Sequence, residues 1–234
     1  MNAPFQVGIV IPAGGRGTRF GGDTPKQYLD LAGEPIIIHT VKTALATQHV
    51  CAVVIAAQTT EFSHLSSLIE QHGIVDARLV LTEGGSERYE SVAKGLTHPA
   101  LDEADVILVH DAVRPLASTS LFDRVAAEAV VHGAVVPVIP VADTLKRVDS
   151  NSMIIETVDR SAMRRAQTPQ GFSAAIIRNV YAEALRTGVG GTDCASLCEA
   201  GGFPVHTIQG EEHNLKITTA FDLAVAGMVL RSIT

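Results

Sequence analysis

Short apolar runs recur along the chain at 7–11, 50–56, 78–81, 105–109 and 134–140. Runs of this length, rich in Val, Ile, Leu and Ala, suit strands buried on both faces. Helical patterns lie between them, at about 35–47, 60–72, 88–97 and 119–131. Such alternation predicts right-handed βαβ units, hence an α/β protein with a mostly parallel central sheet and helices on both faces. After the fifth run the alternation stops. Residues 141–160 read as two β-rich runs around Asp149-Ser150-Asn151-Ser152, a β-hairpin. A lone hairpin is marginal in water, so it must pack on its own domain or on a second copy of the chain. Arg164 to Phe172 leads into a helix over 173–186, and Gly188 to Gly191 form a link. Another helix starts with Thr192 or Asp193 as its cap. A strand near 204–208 and an amphipathic helix over 219–231 complete the pattern. No Gly/Ser or Pro linker marks a second domain, so 1–234 is expected to be one unit with 141–162 as its arm.

Composition narrows the function. The 234 residues are 46% hydrophobic, yet no apolar run reaches membrane-spanning length. The first residues lack a leader pattern, so a cytoplasmic location is expected. A net charge of −7 disfavours nonspecific nucleic-acid binding. Cys51, Cys194 and Cys198 cannot form a disulfide framework, and Cys194 and Cys198, four apart, are expected to be ordinary buried thiols rather than a metal pair.

Ligands of parallel sheets sit beyond the carboxyl ends of the strands, which directs attention to the loops there. After the first apolar run comes Pro12-Ala13-Gly14-Gly15-Arg16-Gly17-Thr18-Arg19, then Gly21, Gly22 and Pro25-Lys26-Gln27-Tyr28. Glycines let backbone N–H groups approach an anion, and Arg16, Arg19 and Lys26 supply charge for a polyphosphate. The P-loop pattern fails, because Lys26 follows Pro25 and precedes Gln27. The dinucleotide fingerprint fails as well: Phe20 stands at its third glycine, and the second strand ends in Gln58 rather than an acid.

Two further loops carry candidates. In Gly84-Gly85-Ser86-Glu87-Arg88-Tyr89-Glu90-Ser91, the backbone and the Ser91 hydroxyl can read the edge of a base. In His110-Asp111-Ala112-Val113-Arg114-Pro115, Asp111 leaves a central strand where a carboxylate can approach Mg²⁺. His110 reads as a structural histidine, and Arg114 as either a phosphate ligand or a surface residue.

Taken in order, PAGGRGTR (12–19), PKQY (25–28), GGSERYESV (84–92), HDAVRP (110–115), ADTLKR (142–147) with TVDR (157–160), TPQGF (168–172) and TD (192–193) with LKITT (215–219) resemble the 2-C-methyl-D-erythritol 4-phosphate cytidylyltransferases. The resemblance covers nearly the whole chain. It implies a Rossmann-like nucleotidyltransferase fold with a protruding β-hairpin arm. It also implies a reaction in which the acceptor's phosphate attacks the α-phosphorus of CTP and releases pyrophosphate, as a step of non-mevalonate isoprenoid synthesis. By the same resemblance Arg19 and Lys26 stabilise the transition state, and Arg160 and Lys216 position the acceptor. Arg114, Thr144, Thr168 and Thr192 surround the acceptor. CTP contacts fall on Ala13, Gly14, Gly15, Gly84, Gly85, Ser91, Asp111 and Ala112. Mg²⁺ is implied mainly through the CTP phosphates, with Asp111 nearby. The arm resembles a dimerisation element that carries Thr144 and Arg160 into the partner's site, so the partners are CTP, a polyol phosphate and a second copy.

The chain departs from the family pattern in places: Gly14 stands where alanine is common, Ser86 where an acid is frequent, Val113 where alanine is usual, and Cys194 where an acid is often found. The first two leave backbone contacts to CTP intact, whereas Val113 and Cys194 bear on the acceptor pocket. Two rival readings remain at this point, a cytidylyltransferase for ribitol or ribulose 5-phosphate and a non-catalytic nucleotide-binding module.

Overall fold

The computed structural model describes residues 5–15, 24–188 and 190–233. The chain opens with β1 (Val7–Pro12), a single 3₁₀ turn at Lys26–Tyr28, and the small pair β2 (Asp30–Leu31) and β3 (Glu34–Pro35). There follow α1 (Ile36–Ala46), β4 (Val50–Ala57), α2 (Phe62–Gln71), β5 (Leu79–Glu83), α3 (Arg88–Leu96), β6 (Val106–Val109), α4 (Thr119–His132) and β7 (Ala134–Pro140). The second half holds β8 (Leu145–Val148), β9 (Ile154–Val158), β10 (Arg164–Ala166), β11 (Gln170–Ser173), α5 (Ala174–Thr187), α6 (Cys194–Ala200), β12 (His206–Gln209) and α7 (Ala220–Ile233).

Four of the apolar runs became strands that the main sheet buries on both sides, whereas β5 lies at the sheet edge and is only partly buried. β1 pairs in parallel with β4 and β6, β4 with β5, and β12 with β7. Alternate side chains enter opposite layers. Ile9, Ile11, Val53 and Leu108 meet Ile38 and Val41 of α1 and Phe122 and Val125 of α4. Val10, Val54 and Ile107 meet Val92 and Leu96 of α3, Ile177 of α5 and Leu197 of α6. The α3 layer lies close on β1, since a Cβ at Gly95 would stand 2.5 Å from Val10 Cγ1.

One part of the sheet departs from the sequence reading. Arg164–Phe172, expected only as an approach to a helix, contains β10 and β11. Both pair antiparallel with β7, and β11 also pairs antiparallel with β6. The segment between them stays in hydrogen-bonding reach of β7, with Gln167 N–H donating to Pro137 O at 2.8 Å. An antiparallel strand is thus inserted into an otherwise parallel sheet. Its residues lack alternation, and long-range pairing rather than local propensity makes them strands. Phe172 is fully buried there.

The hairpin expected over 141–160 forms as β8 and β9, a two-stranded sheet of its own. Val148, Met153, Ile154 and Ile155 on it are all more than half exposed. A smaller apolar cluster joins Leu31, Val113, Leu116, Ile217 and Ala226, fixing the start of α7 beside the loop that follows β6.

Candidate active site

β1 lies between β4 and β6, so the direction of strand order reverses between β1 and β6, and a crevice opens beyond their carboxyl ends. The cleft there is lined by Ala13, Gly14 and Gly15 after β1, Lys26, Ser86, Arg88 and Ser91, Asp111 and Ala112 after β6, and Lys216. Thus six of the CTP-binding candidates, Ala13, Gly14, Gly15, Ser91, Asp111 and Ala112, meet in one place with Lys26 and Lys216, whereas Gly84 and Gly85 line a separate hollow with Gln58 and Lys94. Arg19 lies outside the described residues, as does Arg16.

The glycine positions divide by what surrounds them. A Cβ at Gly15 would meet nothing within 4 Å, so that backbone faces the open cleft. At Gly85 a Cβ would stand 2.2 Å from Glu90 Cβ, so no side chain fits. Glu90 belongs to the capping box that starts α3 with Glu87. Gly85 N–H donates to Ser91 Oγ at 3.0 Å, and Ser91 Oγ donates to Glu87 O at 3.1 Å. The Ser91 hydroxyl therefore holds its own loop in shape. Gly84 N–H donates to Ala57 O, tying the loop to the end of β4. On the opposite wall, Gln27 Nε2 donates to Ala13 O at 2.8 Å and secures the turn that carries Lys26.

Asp111 is the electrostatic centre. Its side chain is 9% exposed; Oδ1 accepts from Arg88 Nε at 2.8 Å and Oδ2 faces Lys216 Nζ at 2.8 Å. Arg114 Nε stands 3.6 Å from Oδ2. Burial by itself would raise the carboxyl pKa, but Arg88, Lys216 and Arg114 outweigh it and hold the group well below the usual carboxylate range. Arg88, in the quoted motif GGSERYESV, was not among the site residues read from the sequence. Its position as the first residue of α3, directly after a glycine loop, was the signal.

His110 and Thr168 are buried beside Asp111 and do not line the cleft. Asp111 N–H donates to Thr168 Oγ1 at 3.1 Å, which leaves the hydroxyl proton for His110 Nδ1, also at 3.1 Å. His110 Nε2 then carries the ring proton and donates to Arg114 O at 3.1 Å. Burial pushes the His110 pKa down to about 4, so the ring is neutral and structural, in keeping with its sequence reading. Thr168 is buried, with its hydroxyl committed to Asp111 and His110.

Of the remaining acceptor candidates, Arg114 contacts this core, whereas Thr192, Thr144 and Arg160 are not part of the cleft lining. Arg114 is mostly buried and donates to Asn214 O at 2.8 Å. Thr192 is exposed and directly precedes Asp193, which is the cap of α6, its Oδ1 accepting from Ser196 N–H. Buried Gln170 steadies that cap by donating to Asp193 Oδ2 at 2.7 Å. Cys194 and Cys198 are buried thiols, and burial pushes the Cys198 pKa up to about 12. Thr144 and Arg160 are exposed on the arm and absent from the cleft lining. The Arg160 guanidinium donates within the arm, to Ala142 O.

The donor set does not fit a protein-held Mg²⁺. Both Asp111 oxygens face cations, and among the described residues no His, Cys, Asp or Glu groups of three or more converge as ligands.

A cationic cleft with exposed glycine backbone, at the switch point of a mostly parallel sheet, defines an α/β nucleotide-binding protein built to handle phosphate anions. The family model described as IspD, 2-C-methyl-D-erythritol 4-phosphate cytidylyltransferase, matches residues 7–232. The chain belongs to that family. It is 42% identical over 225 residues to the enzyme of that name from Parasynechococcus marenigrum, covering 95% of this chain and 96% of the other. It is 36% identical over 235 residues to the one from Acidobacterium capsulatum, covering 97% and 98%. The crystal structure of the Thermus thermophilus enzyme matches with a TM-score of 0.78 at 33% identity, over 97% of this chain and all (100%) of that one. Among the described residues no helix is long and apolar enough to cross a membrane.

Proposed function

We propose that the chain transfers a cytidylyl group from CTP to 2-C-methyl-D-erythritol 4-phosphate, in isoprenoid precursor synthesis. A phosphate oxygen of the acceptor forms a bond to the α-phosphorus, and the bond from that phosphorus to the β-phosphate oxygen breaks. The products are the CDP-linked polyol and pyrophosphate. The observation that carries this reading is the meeting of Gly15, Lys26, Asp111 and Lys216 in one cleft, on a chain that belongs to this family.

Nucleophile and electrophile are both anionic, so positioning and charge stabilisation supply most of the acceleration. The acceptor phosphate is largely ionised near neutral pH, and no general base is needed. In this reading the open backbone at Gly15 and the Lys26 ammonium hold the triphosphate, with Arg19 as the second transition-state cation. The loop at Gly84, Gly85 and Ser91 reads the base. Lys216 exchanges its contact with Asp111 for the acceptor phosphate, and Thr192 borders the acceptor. Mg²⁺ would be carried by the CTP phosphates, with Asp111 nearby, and would neutralise part of the triphosphate charge there.

The arm is read as a dimerisation element. Its exposed Val148, Met153, Ile154 and Ile155 call for a covering surface, and its Arg160 and Thr144 are available to a second copy's site. A cytoplasmic homodimer is the form proposed. Incubation with CTP, Mg²⁺ and the methylerythritol phosphate, followed by phosphorus NMR, tests the reaction. Coupled diphosphate resonances with equimolar pyrophosphate are expected; unchanged CTP would refute it.

A further inference from the structure

Lys216 is carried on an irregular strap between β12 and α7, not on a helix or strand. An ammonium on a flexible stem needs its backbone fixed if it is to meet a phosphate reproducibly. The strap has several anchors. Glu211 accepts from Ser118 N–H at 3.0 Å, and Gln167 Nε2 donates to Glu211 O at 2.7 Å. Beyond Lys216, Ile217 N–H donates to Val113 O at 2.9 Å, with the Ile217 side chain fully buried. Between these lies Asn214, which is 0% exposed. Its Nδ2 donates to Thr168 O at 2.9 Å, and its own carbonyl accepts from Arg114 Nη1 at 2.8 Å.

The Thr168 contact matters because of what else Thr168 holds. Its hydroxyl accepts from Asp111 N–H. One residue therefore fixes both members of the Lys216–Asp111 pair, Asp111 through its hydroxyl and the Lys216 strap through its carbonyl. The side-chain amide of Asn214 is the link on the lysine side.

We infer that Asn214 is a positioning residue for the transfer reaction: acting through Thr168, it sets Lys216 against Asp111 at the point where the acceptor phosphate docks. Asn214 has no direct contact with substrate in this arrangement. The inference rests on the proposed function and deepens it, since it concerns how that site presents its acceptor cation.

The test is a double-mutant cycle of Asn214→Ala and Lys216→Ala. Acceptor affinity is read by calorimetry with a nonhydrolysable CTP analogue, alongside pyrophosphate release by the wild type. Asn214→Ala should weaken acceptor binding by about 10-fold or more while CTP affinity changes less than about 3-fold. In the Lys216→Ala background the same substitution should cost less than about 2-fold, because the group it positions is gone. Asn214→Leu, close in volume, repeats the cycle should Asn214→Ala fold poorly, and the same non-additivity is expected. Equal penalties in both backgrounds, or no penalty in either, overturn the inference while leaving the function intact. A wild type that releases no pyrophosphate overturns the functional reading and this inference with it.

Discussion

Lys216 Nζ and Arg88 Nε each stand 2.8 Å from a different oxygen of Asp111, so one buried carboxylate is spent on holding two cations. The arrangement keeps positive charge concentrated at the cleft while the free protein remains folded. Replacing Asp111 with Asn leaves those cations facing one another. Stability should fall by about 2 kcal/mol, less than for a fully buried pair because Arg88 and Lys216 are partly exposed. Thermal melts should show this as a drop of roughly 4–8 °C. CTP affinity should hold or rise, since the freed cations can turn to phosphate, and turnover should fall. An unchanged melting temperature would contradict this account of Asp111.

His110 gives the fold an acid-sensitive component. Its folded pKa is lowered to about 4, against an ordinary value near 6.5. Below about pH 6.5 the unfolded chain binds a proton that the folded one refuses, so stability is lost as pH falls toward 4. By pH 5 the loss from this group is roughly 2 kcal/mol. Asp111 adds little in that window, because its depressed pKa matters only below about pH 4. Melts at pH 7.5 and pH 5 check the prediction: His110→Gln should be less stable at pH 7.5 yet lose less on acidification. An equal loss in both proteins would contradict it.

Much of the sheet could be read from the chain because burial on both faces demands continuous apolar runs. β4 and β7 coincide with their expected runs to within a residue. β10 and β11 could not be read so, since Arg164–Ala166 is charged and exposed and Gln170–Ser173 has no alternation. The loops of the site were legible through their glycines and charges. Asn214 and Gln167 were not, because their importance comes from contacts 46 and 44 residues away in sequence. Thr168 was legible as a motif residue, but the commitment of its hydroxyl to Asp111 appears only once β11 is placed beside β6.

Gly15 of the cleft and Gly85 of the loop before α3 should fail in different ways. Gly15→Ala has space in the fold but puts a methyl where the triphosphate is proposed to lie, so it should fold normally and bind CTP about 10-fold more weakly. Gly85→Ala drives a methyl into Glu90 and disrupts the start of α3, costing about 1–3 kcal/mol of stability as well as CTP affinity. Melts and CTP titrations of both proteins separate the effects. Equal melting temperatures for the two variants would contradict the loop geometry.

The arm makes a prediction that only a shared site satisfies. If Arg160 serves the partner's cleft, Arg160→Ala and Lys26→Ala homodimers should both be nearly inactive. Mixed and allowed to exchange, they should recover about a quarter of wild-type activity, since half the dimers then carry one intact site. Sedimentation should show a dimer that Ile154→Glu weakens. Absence of recovery despite demonstrated exchange would place Arg160 in its own chain's site.

Pyrophosphate release with CTP and Mg²⁺ gives kcat/KM for 2-C-methyl-D-erythritol 4-phosphate, ribitol 5-phosphate and ribulose 5-phosphate side by side. A preference of about 100-fold or more for the branched acceptor is predicted, as expected when a site is shaped and hydrogen-bonded for one polyol. Equal or greater kcat/KM for either five-carbon phosphate would contradict the assigned acceptor.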